Sequence, residues 1–341
     1  MPNDYQLVPL ANGAKTLFSS GYGEKMHPGL GPRAEAELLY VRQLRIHERL
    51  RNHSGEFVIW DVGLGAAANA IAALRATREI PGWLRLISFD NTTEPLEFAL
   101  KNAAALGYLA GYENQTAGLL EVGTARCVVR TPQRGVPAKS QRVEFENGKL
   151  KVDWEFQLGD FPALLESRAG VPPAQRARQR EQEAASLSLG AGRRDACPTL
   201  PTPHAIFYDA FSPAKNPAMW TLPLFKNLFR ALDPARPCAL TTYSRSTLVR
   251  ATLLLAGFFV GIGHATGLKE ETTVAANSLE LIAEPLDSRW LVRAARSDSA
   301  EPLHEPIYSR SPLSPAATKK LRRHPQFRPA IKSDNFLNNS G

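Results

Sequence analysis

The chain has few cysteines and no long apolar run. Its three cysteines, Cys127, Cys197 and Cys238, are odd in number and lack the close spacing of structural zinc sites, so we expect reduced thiols and no bound metal. No stretch approaches the ~18 consecutive apolar residues of a membrane-spanning helix, and the first residues lack the charged-then-apolar pattern of a signal peptide. These absences predict a cytoplasmic protein without a membrane partner.

Length, composition and charge favour one sizeable catalytic domain. The chain has 341 residues, 43% of them hydrophobic, which is enough to bury a substantial core. Strand-like and helix-like segments alternate, which predicts a single α/β unit. The formal charge of +8 fits a polyanionic partner, because lysine and arginine bind phosphates and release condensed counterions.

Two segments of biased composition carry much of the positive charge. Residues 169–203 form an insertion rich in alanine, arginine and glutamine, and residues 297–341 form a basic tail punctuated by prolines. Both compositions are typical of disordered or flexible chain, which either grips RNA or serves as a solvated linker. We therefore expect an N-terminal segment with a covering helix (1–55), a catalytic domain (56–296) that contains the insertion, and the flexible tail.

A glycine-bearing turn follows the first strong strand pattern. Residues 57–62 form an apolar strand that contains Asp61, and Gly63 and Gly65 let a ligand approach the backbone closely. Ala67 stands where a dinucleotide fingerprint has its third glycine, so the pattern alone is weak. A carboxylate in this turn repels a pyrophosphate and suits the ammonium group of S-adenosylmethionine. The turn therefore favours a methyl donor over a dinucleotide.

Three further acids end strand-like runs. Asp90 follows the run 84–89 and is predicted to accept hydrogen bonds from two ribose hydroxyls, with a helix cap as the alternative. Asp160 either borders an adenine or forms a turn. Asp209 follows the buried run 203–208. Because ligands in open α/β sheets bind outside the carboxyl ends of the strands, we expect these acids to face one crevice.

The loop after Asp209 is the most informative pattern in the chain. Residues 209–220 read Asp-Ala-Phe-Ser-Pro-Ala-Lys-Asn-Pro-Ala-Met-Trp, and the two prolines restrict a backbone that presents polar and aromatic side chains. The alternative is an ordinary strand-to-helix turn whose tryptophan caps the core. The candidate substrate contacts in this loop are Phe211, Pro213, Lys215, Asn216 and Trp220.

This loop closely resembles the signature of the bacterial methyltransferases that complete 5-methylaminomethyl-2-thiouridine at the tRNA wobble position. Supporting similarities run from Thr16 to about Pro285 and include Tyr22 to His27, Asp61 to Asn69, Ser88 to Asp90, Gly159-Asp160, Thr241 to Tyr243, Val249-Arg250, Ala256 to Phe258 and Gly267 to Glu270. The resemblance implies a class I methyltransferase with a Rossmann-like sheet. It also implies methyl transfer from S-adenosylmethionine to the primary amine of 5-aminomethyluridine in tRNA.

Larger members of this family carry a fused flavin-dependent oxidase that prepares the amine. This chain shows no second glycine-rich strand-turn-helix unit, so it resembles the stand-alone methyltransferase form. The resemblance therefore implies tRNA as the substrate and a separate oxidase or tRNA-modifying enzyme as the source of the aminomethyl precursor.

With this resemblance, we expect specific roles for the candidate residues. Asp209 would orient the amine, and a nearby cation, Lys269 or Lys215, would disfavour its ammonium form. Phe211 and Trp220 would stack on an extruded uridine, although core packing is the more common fate of such rings. The expected donor-binding residues are Asp61, Gly63, Gly65, Asn69, Asp90, Asp160, Glu24 and His27.

Two other classes of function stay open. A methyltransferase or aminopropyltransferase that acts on a small amine would share the acid-bearing turn and Asp209. A non-catalytic RNA-binding relative is suggested by Ala67 and the basic segments. A non-catalytic RNA-binding relative would not bind S-adenosylmethionine. A small-amine transferase would differ from a tRNA methyltransferase in its acceptor.

The remaining patterns complete the expected fold. Apolar spacing predicts a covering helix over 31–50, and Asn147-Gly148 predicts a β-hairpin over 143–152, inserted before Asp160. Helices are expected at 222–232 and 247–256, a strand at 238–243, and an antiparallel closing pair at 258–261 and 279–283. The expected fold class is α/β, a Rossmann-like class I methyltransferase sheet with an N-terminal covering segment and an inserted β-hairpin.

Overall fold

A computed structural model describes residues 4–121, 126–130, 135–169, 200–267 and 270–328 of the chain. Its strands are β1 (Tyr5–Pro9), β2 (Lys15–Ser19), β3 (Glu24–Lys25), β4 (Glu56–Val62), β5 (Gly82–Asp90), β6 (Arg126–Arg130), β7 (Gly135–Asn147), β8 (Leu150–Leu158), β9 (Ala205–Tyr208), β10 (Ala239–Thr242), β11 (Phe259–Gly263) and β12 (Thr272–Ala276). Its helices are α1 (Pro32–Ala36), α2 (Ile46–Arg51), α3 (Ala68–Thr77), α4 (Glu94–Lys101), α5 (Ala103–Leu106), α6 (Glu113–Gly118), α7 (Phe161–Ala169), α8 (Leu222–Ala231), α9 (Thr247–Ala256), α10 (Ser288–Ala295) and α11 (Pro315–Arg322). Most of the predicted insertion, 170–199, and the candidate Lys269 lie outside the described residues.

A mixed nine-stranded sheet organises the catalytic part of the chain. Its order is β11-β12-β10-β9-β4-β5-β8-β7-β6. The five central strands, from β10 to β8, run parallel, and the pairs at both edges run antiparallel. β4 lies between β5, which follows it in the chain, and β9, which comes much later, so the direction of winding reverses beside β4. Ligands of open α/β sheets bind at such a reversal. The predicted α/β fold class is confirmed.

Both faces of the sheet are covered, as its parallel strands require. Along β4, Phe57 and Ile59 enter one apolar cluster, while Val58, Trp60 and Val62 enter the other. This alternation follows from the period of two in a strand. α3 packs on the first face, and α8 and α9 pack on the second.

The N-terminal segment covers the sheet, but its helix is broken. The predicted helix over 31–50 is α1, a π-helical turn at Glu37–Arg42, and α2. The break lies at Arg45, whose φ of 52° is left-handed, and the side chain there pairs with Glu48. Before these helices, β1, β2 and β3 form a separate antiparallel sheet.

The predicted hairpin is present, and one of its two strands also belongs to the parallel part of the sheet. β7 and β8 are joined by Gly148 and Lys149, one residue later than the predicted Asn-Gly turn, and Gly148 has a positive φ of 63°. β8 also pairs in parallel with β5 along its whole length. The hairpin therefore supplies a central strand, whose end leads directly to Asp160.

The prediction for the last strand of the sheet is wrong. β11 pairs with β12 at Thr272–Ala276, whereas Leu279–Leu281 is a 3-10 turn. The threonines of β12 are buried because their hydroxyls have partners: Thr273 donates to the carbonyl of Ser244 at 2.6 Å and accepts from Arg250 at 3.0 Å. Because these buried residues are polar, the sequence shows no apolar pattern that would predict a buried strand here.

The predicted flexible tail is also wrong for the residues that the structure describes. Residues 297–328 pack against the second face of the sheet, with Leu303 and Leu321 almost fully buried in its apolar cluster. Gln326 accepts a hydrogen bond from the backbone N–H of Val260 at 2.8 Å and donates to its carbonyl at 2.7 Å. Apolar residues spaced through the basic run account for this order, and residues 329–341 lie outside the description.

Within the described ranges, the helices are too short and too polar for any of them to span a bilayer.

Candidate active site

One cavity lies at the carboxyl edge of the parallel strands, where the winding reverses. Its volume is about 450 Å³, within the range of small-ligand sites. The ends of β4, β5, β8 and β9 line its floor, and residues of the N-terminal sheet and the following loop close it from above. The lining includes the predicted residues Glu24, His27, Gly63, Gly65, Asp90, Asp160, Asp209, Phe211 and Asn216.

The glycine turn and Asp90 form one hydrogen-bonded unit. Gly63 and Gly65 have φ values of 91° and 51°, and the N–H of Gly65 donates to the carboxylate of Asp90 at 2.8 Å. Ala67 adopts a left-handed φ of 63° before α3, so this position uses the conformation that a glycine would adopt easily. Burial raises the pKa of Asp90, and hydrogen bonds from backbone N–H groups oppose that rise.

Gly63 brings the first turn against the loop of Asp209. A Cβ atom at position 63 would lie 2.8 Å from the carbonyl oxygen of Asp209. The N–H of Asp209 donates to the carbonyl of Val62 at 2.9 Å, which fixes the same contact from the other side. The two strand ends are therefore held at backbone distance.

Asp209 lies on the cavity wall with three polar neighbours. Asn69 donates to its carboxylate at 2.8 Å, and Nε2 of His27 lies 3.8 Å from the same oxygen. The side chains of His27 and Asp209 are 11% and 18% exposed, so both still reach the cavity. Burial, followed by the nearby Asp209, holds the pKa of Tyr40 well above its usual value, so that this phenol stays protonated near neutral pH. Asn69 thus contacts Asp209 instead of lining the cavity itself.

Asp61 lies behind the cavity, which differs from its predicted contact with the donor. The side chain is fully buried and accepts a hydrogen bond from the hydroxyl of Ser88 at 2.9 Å. Trp154 donates to that same hydroxyl at 3.0 Å. β4 continues to Val62, so Asp61 faces a covered layer of the sheet instead of its edge. Burial raises the pKa of Asp61 to about 8.

The N-terminal sheet is joined to the loop of residues 209–220. The Glu24 carboxylate accepts hydrogen bonds from the hydroxyl and the backbone N–H of Ser212. The rings of Tyr22 and Phe211 are stacked, with centroids 4.0 Å apart. Glu24 therefore holds the loop in place, a role that the sequence did not reveal.

The other candidate loop residues divide between cavity, surface and core. Asn216 lines the cavity, while Pro213 and Lys215 do not. Trp220 is fully buried, and its indole N–H donates to the carbonyl of Phe211 at 2.7 Å. Its predicted stacking on a uridine does not agree with this position, because its ring packs against Tyr208 in the core.

Asp160 serves two structural purposes at the end of β8. It lines the cavity, and its carboxylate accepts from the N–H of Ala163 in the first turn of α7 at 3.2 Å. Both alternatives for this residue, ligand contact and turn formation, are therefore compatible with its position.

Several cavity residues were not assigned a role from the sequence. Tyr243 follows β10 and donates to the carbonyl of Ala210 at 2.9 Å. Glu35 accepts from the N–H groups of Gly29 and Leu30 and thereby fixes the loop after His27. Two features of the sequence could have indicated these roles. Tyr243 lies at the end of a predicted strand, and Glu35 lies only five and six residues after its partners Leu30 and Gly29.

The charge of the cavity suits a cationic ligand. Five acids line it, Glu24, Glu35, Asp90, Asp160 and Asp209, against Lys25 and His27. Apolar walls formed by Leu64, Phe89 and Phe161 stand beside the Asp90 carboxylate. S-adenosylmethionine combines an adenine, a ribose and a net positive charge, and these walls and acids fit all three parts. Within the described ranges, no group of three or more metal-ligating side chains is found.

Comparisons with known proteins agree with this geometry. Residues 164–278 match a family model described as S-adenosyl-L-methionine-dependent methyltransferase. The tRNA 5-methylaminomethyl-2-thiouridine biosynthesis bifunctional protein MnmC of Aeromonas hydrophila is 26% identical over 297 residues, 83% of this chain and 37% of that protein. The protein of the same name from Burkholderia mallei is 28% identical over 248 residues, 71% of this chain and 31% of that protein. This chain thus spans about a third of the length of these relatives.

A solved structure supports the same fold. The crystal structure of MNMC2 from Aquifex aeolicus matches with a TM-score of 0.57 and 23% identity, over 94% of this chain and 84% of that one. This likeness supports the fold, while residues 164–278 match the S-adenosyl-L-methionine-dependent methyltransferase family model and most of the chain is similar to the MnmC proteins.

Proposed function

We propose that the protein methylates the 5-aminomethyl group of the wobble uridine in tRNA, giving 5-methylaminomethyl-(2-thio)uridine. The observation that carries this proposal is the position of Asp209, which lies directly beside the glycine turn and lines the same cavity as Asp90. This arrangement offers one acid to a ribose and another to an amine. The similarity to proteins of 5-methylaminomethyl-2-thiouridine biosynthesis supports the choice of acceptor.

Asp90 is assigned the ribose hydroxyls of the donor. Its carboxylate already accepts from Gly65 and Asn91, which fixes its orientation and leaves further lone pairs for hydroxyl donors. Phe161 and Asp160 border the adenine, and His27 and Glu24 border the amino-acid end. When bound, S-adenosylmethionine supplies an electrophilic methyl group on a positively charged sulfur.

Asp209 is assigned the acceptor amine. An alkyl amine resembling lysine has an ordinary pKa of ~10.4, so presenting its neutral form at pH 7 costs about 4–5 kcal/mol. Desolvation in the cavity lowers this cost, as would a cation beside the amine, which is the role predicted for Lys269, while Asp209 raises it. Asp209 therefore chiefly orients the amine and receives its proton late. Positioning of the amine supplies most of the rate.

Other residues of the loop complete the acceptor side. Phe211 offers an aromatic ring to the uracil, although Tyr22 already stacks on one of its faces. Asn216 offers hydrogen bonds at the cavity wall. We place the reaction in the cytoplasm, where tRNA is modified, and infer that a separate oxidase or another tRNA-modifying enzyme supplies the aminomethyl precursor. The catalytic unit is assigned to 56–296, with 1–55 as its cover.

The test is methylation of undermodified tRNA. The purified protein is incubated with labelled S-adenosylmethionine and tRNA that carries 5-aminomethyl-2-thiouridine, followed by nucleoside analysis. We expect label in 5-methylaminomethyl-2-thiouridine and none in tRNA that lacks the aminomethyl group. Label that enters spermidine or another small amine instead of tRNA would contradict the proposal, and so would the absence of donor binding by calorimetry.

A further inference from the structure

The C-terminal helices concentrate positive charge that the active site does not use. Residues 284–328 hold nine lysines and arginines against five acids, an excess of four out of the +8 of the whole chain. Eight of these cations lie on α10 or α11 or within six residues after one of them, and all are exposed: Arg289, Arg293, Arg296, Lys319, Lys320, Arg322, Arg323 and Arg328. We call these residues the basic helix pair.

The arginines of α10 form a row because of helix geometry. Arg289, Arg293 and Arg296 are spaced by four and three residues, so they share one face. The opposite face buries Trp290 and Ala294 in the apolar cluster under the sheet. At 1.5 Å per residue the row is about 10 Å long. It is held rigidly, since the Trp290 ring lies parallel to that of Phe327 beyond α11.

Within the described part of the chain, these cations form no close ion pair. The charges of Arg289 and Arg293 do reach Asp287, whose pKa is lowered first by the backbone N–H of Trp290 and then by these two arginines. Among the described residues, ion pairs form at Arg45, Arg85, Arg142, Arg250 and other sites, but none involves a member of the basic helix pair. Arg310, which lies between the two helices in the chain, is by contrast paired with Asp298. A row of exposed cations without close ion pairs repels itself, and an anion that binds there relieves this repulsion.

The surface is connected to the active-site loop. The chain that leaves α10 reaches Leu303, whose carbonyl accepts from the N–H of Leu222 at 2.7 Å, directly after the loop of 209–220. Two residues before Leu303, Glu301 accepts two hydrogen bonds from Ser314, the residue that caps α11. The basic helix pair is thus fixed to the same segment that presents Asp209 and Phe211.

We propose that the basic helix pair binds the sugar-phosphate backbone of the tRNA whose wobble uridine enters the cavity. This proposal rests on the proposed function for the identity of the nucleic acid. Guanidinium and ammonium groups on one face suit phosphates, which position a nucleic acid without reading its sequence. An anionic membrane would attract the same charges, but the apolar faces of α10 and α11 are already buried against the core and cannot insert.

The test uses charge removal and a matched control. One variant carries Arg289→Gln, Arg293→Gln and Arg296→Gln, and a second carries Lys319→Gln, Lys320→Gln and Arg323→Gln. The control removes three exposed cations elsewhere, with Arg51→Gln, Lys101→Gln and Lys149→Gln, and has the same net charge. Binding of undermodified tRNA is measured by fluorescence anisotropy from 50 to 300 mM salt, alongside donor affinity and turnover.

For both helix variants we expect tRNA affinity to fall ~10-fold or more at 100 mM salt and the slope of log affinity against log salt to decrease by about 2. Donor affinity and turnover at saturating tRNA should remain as in the wild type. Equal losses in the control variant, or an unchanged slope in the helix variants, would overturn the proposal. Binding to phosphatidylserine vesicles is measured as well. Helix variants that keep their affinity for tRNA but lose binding to these vesicles would also overturn the proposal.

The binding assay needs no turnover, so its outcome is separate from that of the proposed function. A wild-type protein that binds tRNA through these residues but does not methylate it would refute the activity and leave the surface standing. A protein that methylates tRNA with equal affinity in all variants would refute the surface alone.

Discussion

At the scale of single residues, the site separates two acids that do different work. Asp90 is fixed by backbone N–H donors of the glycine turn, whereas Asp209 is fixed by the side chain of Asn69. In the proposed mechanism, Asp90 contacts the methyl donor and Asp209 contacts the acceptor amine. Their substitution should therefore affect different kinetic quantities.

We expect Asp209→Asn to lower turnover at least ~100-fold while the dissociation constant for S-adenosylmethionine changes less than about threefold. The amide keeps the shape but loses the charge that orients an ammonium group and receives its proton. Calorimetry with the donor and single-turnover methylation of tRNA measure the two quantities.

Asp90→Asn provides the reciprocal control. We expect the donor affinity to fall about 10-fold or more, because the amide has only one oxygen with which to accept hydrogen bonds from the two ribose hydroxyls. Turnover at saturating donor should fall far less. If Asp209→Asn weakened donor binding as much as Asp90→Asn does, the assignment of the two halves would be wrong.

Asp61 predicts a pH dependence of stability. Its pKa is raised to about 8 in the folded protein from an ordinary 3.8, so between these pH values the folded state holds a proton that the unfolded chain has released. The free energy of unfolding therefore falls as pH rises through this window, by at most about 1.4 kcal/mol per unit from this group, and levels off above pH 8.

Asp61→Asn should remove that slope. Urea unfolding at pH 5, 6.5, 8 and 9 should show the variant gaining on the wild type up to about pH 8 and then running parallel to it. Asp298→Asn, at an exposed site, should follow the wild type throughout. A constant difference between Asp61→Asn and the wild type over the whole range would refute the buried titration.

At this scale the sequence located strand-end acids but not their directions. Asp90 and Asp209 end their strands and reach the cavity, whereas Asp61 lies one residue before the end of β4 and points into a covered layer. The direction of Trp220 was equally hidden, because a ring after a loop fits either the loop or the core. Such outcomes depend on where a strand stops, and the sequence fixes that point only to within a residue or two.

At the scale of elements, the C-terminal segment is bound to the sheet through one polar side chain. Gln326 contacts both backbone groups of Val260 and also donates to the carbonyl of Leu286 at 2.8 Å. This single residue joins β11, the strand-like segment after it, and the end of the α11 region.

Gln326→Ala should destabilise the protein by about 1–3 kcal/mol, because it removes the side-chain partner of the Val260 N–H, while the Val260 carbonyl still accepts from the N–H of Leu286. The change is measured as a shift in the urea midpoint. Arg328→Ala, two residues further on and exposed, should shift the midpoint little. A Gln326→Ala midpoint equal to that of the control would show that the Val260 N–H finds water instead.

The elements that the sequence missed share a physical cause. β12 begins with two threonines, and α11 carries Lys319, Lys320 and Arg322, so neither segment has the apolar pattern of a buried element. β12 is buried because Arg250 and Ser244 satisfy its hydroxyls, and α11 is ordered because Ala317 and Leu321 meet the core. The hairpin of β7 and β8 and the helices α8 and α9 were predictable because local turn chemistry and apolar spacing determine them.

At the scale of the whole molecule, the cavity links two parts of the fold. Tyr5 and Tyr22 belong to the N-terminal segment, Asp90 ends β5 of the main sheet, Phe161 begins α7, and all four line the same cavity. A ligand in the cavity contacts both parts, so its binding energy opposes their separation.

We expect S-adenosylmethionine at 100 times its dissociation constant to stabilise the protein by about 2.7 kcal/mol. Hydrogen exchange should slow in residues 5–25 as well as at the ends of β4 and β5. Asp90→Asn at the same donor concentration should show a smaller thermal shift. Protection confined to the main sheet would show that the N-terminal segment does not close over the donor.

The contact between Gly63 and the carbonyl of Asp209 leaves no room for a side chain between the glycine turn and the loop of residues 209–220. A methyl group added at position 63 would push both apart at once, so loss of activity there would not reveal which ligand had been displaced. Attempts to widen acceptor specificity should therefore begin at Asn216, which lines the cavity and is not among the close contacts of Gly63, so that a change in its volume need not displace the methyl donor.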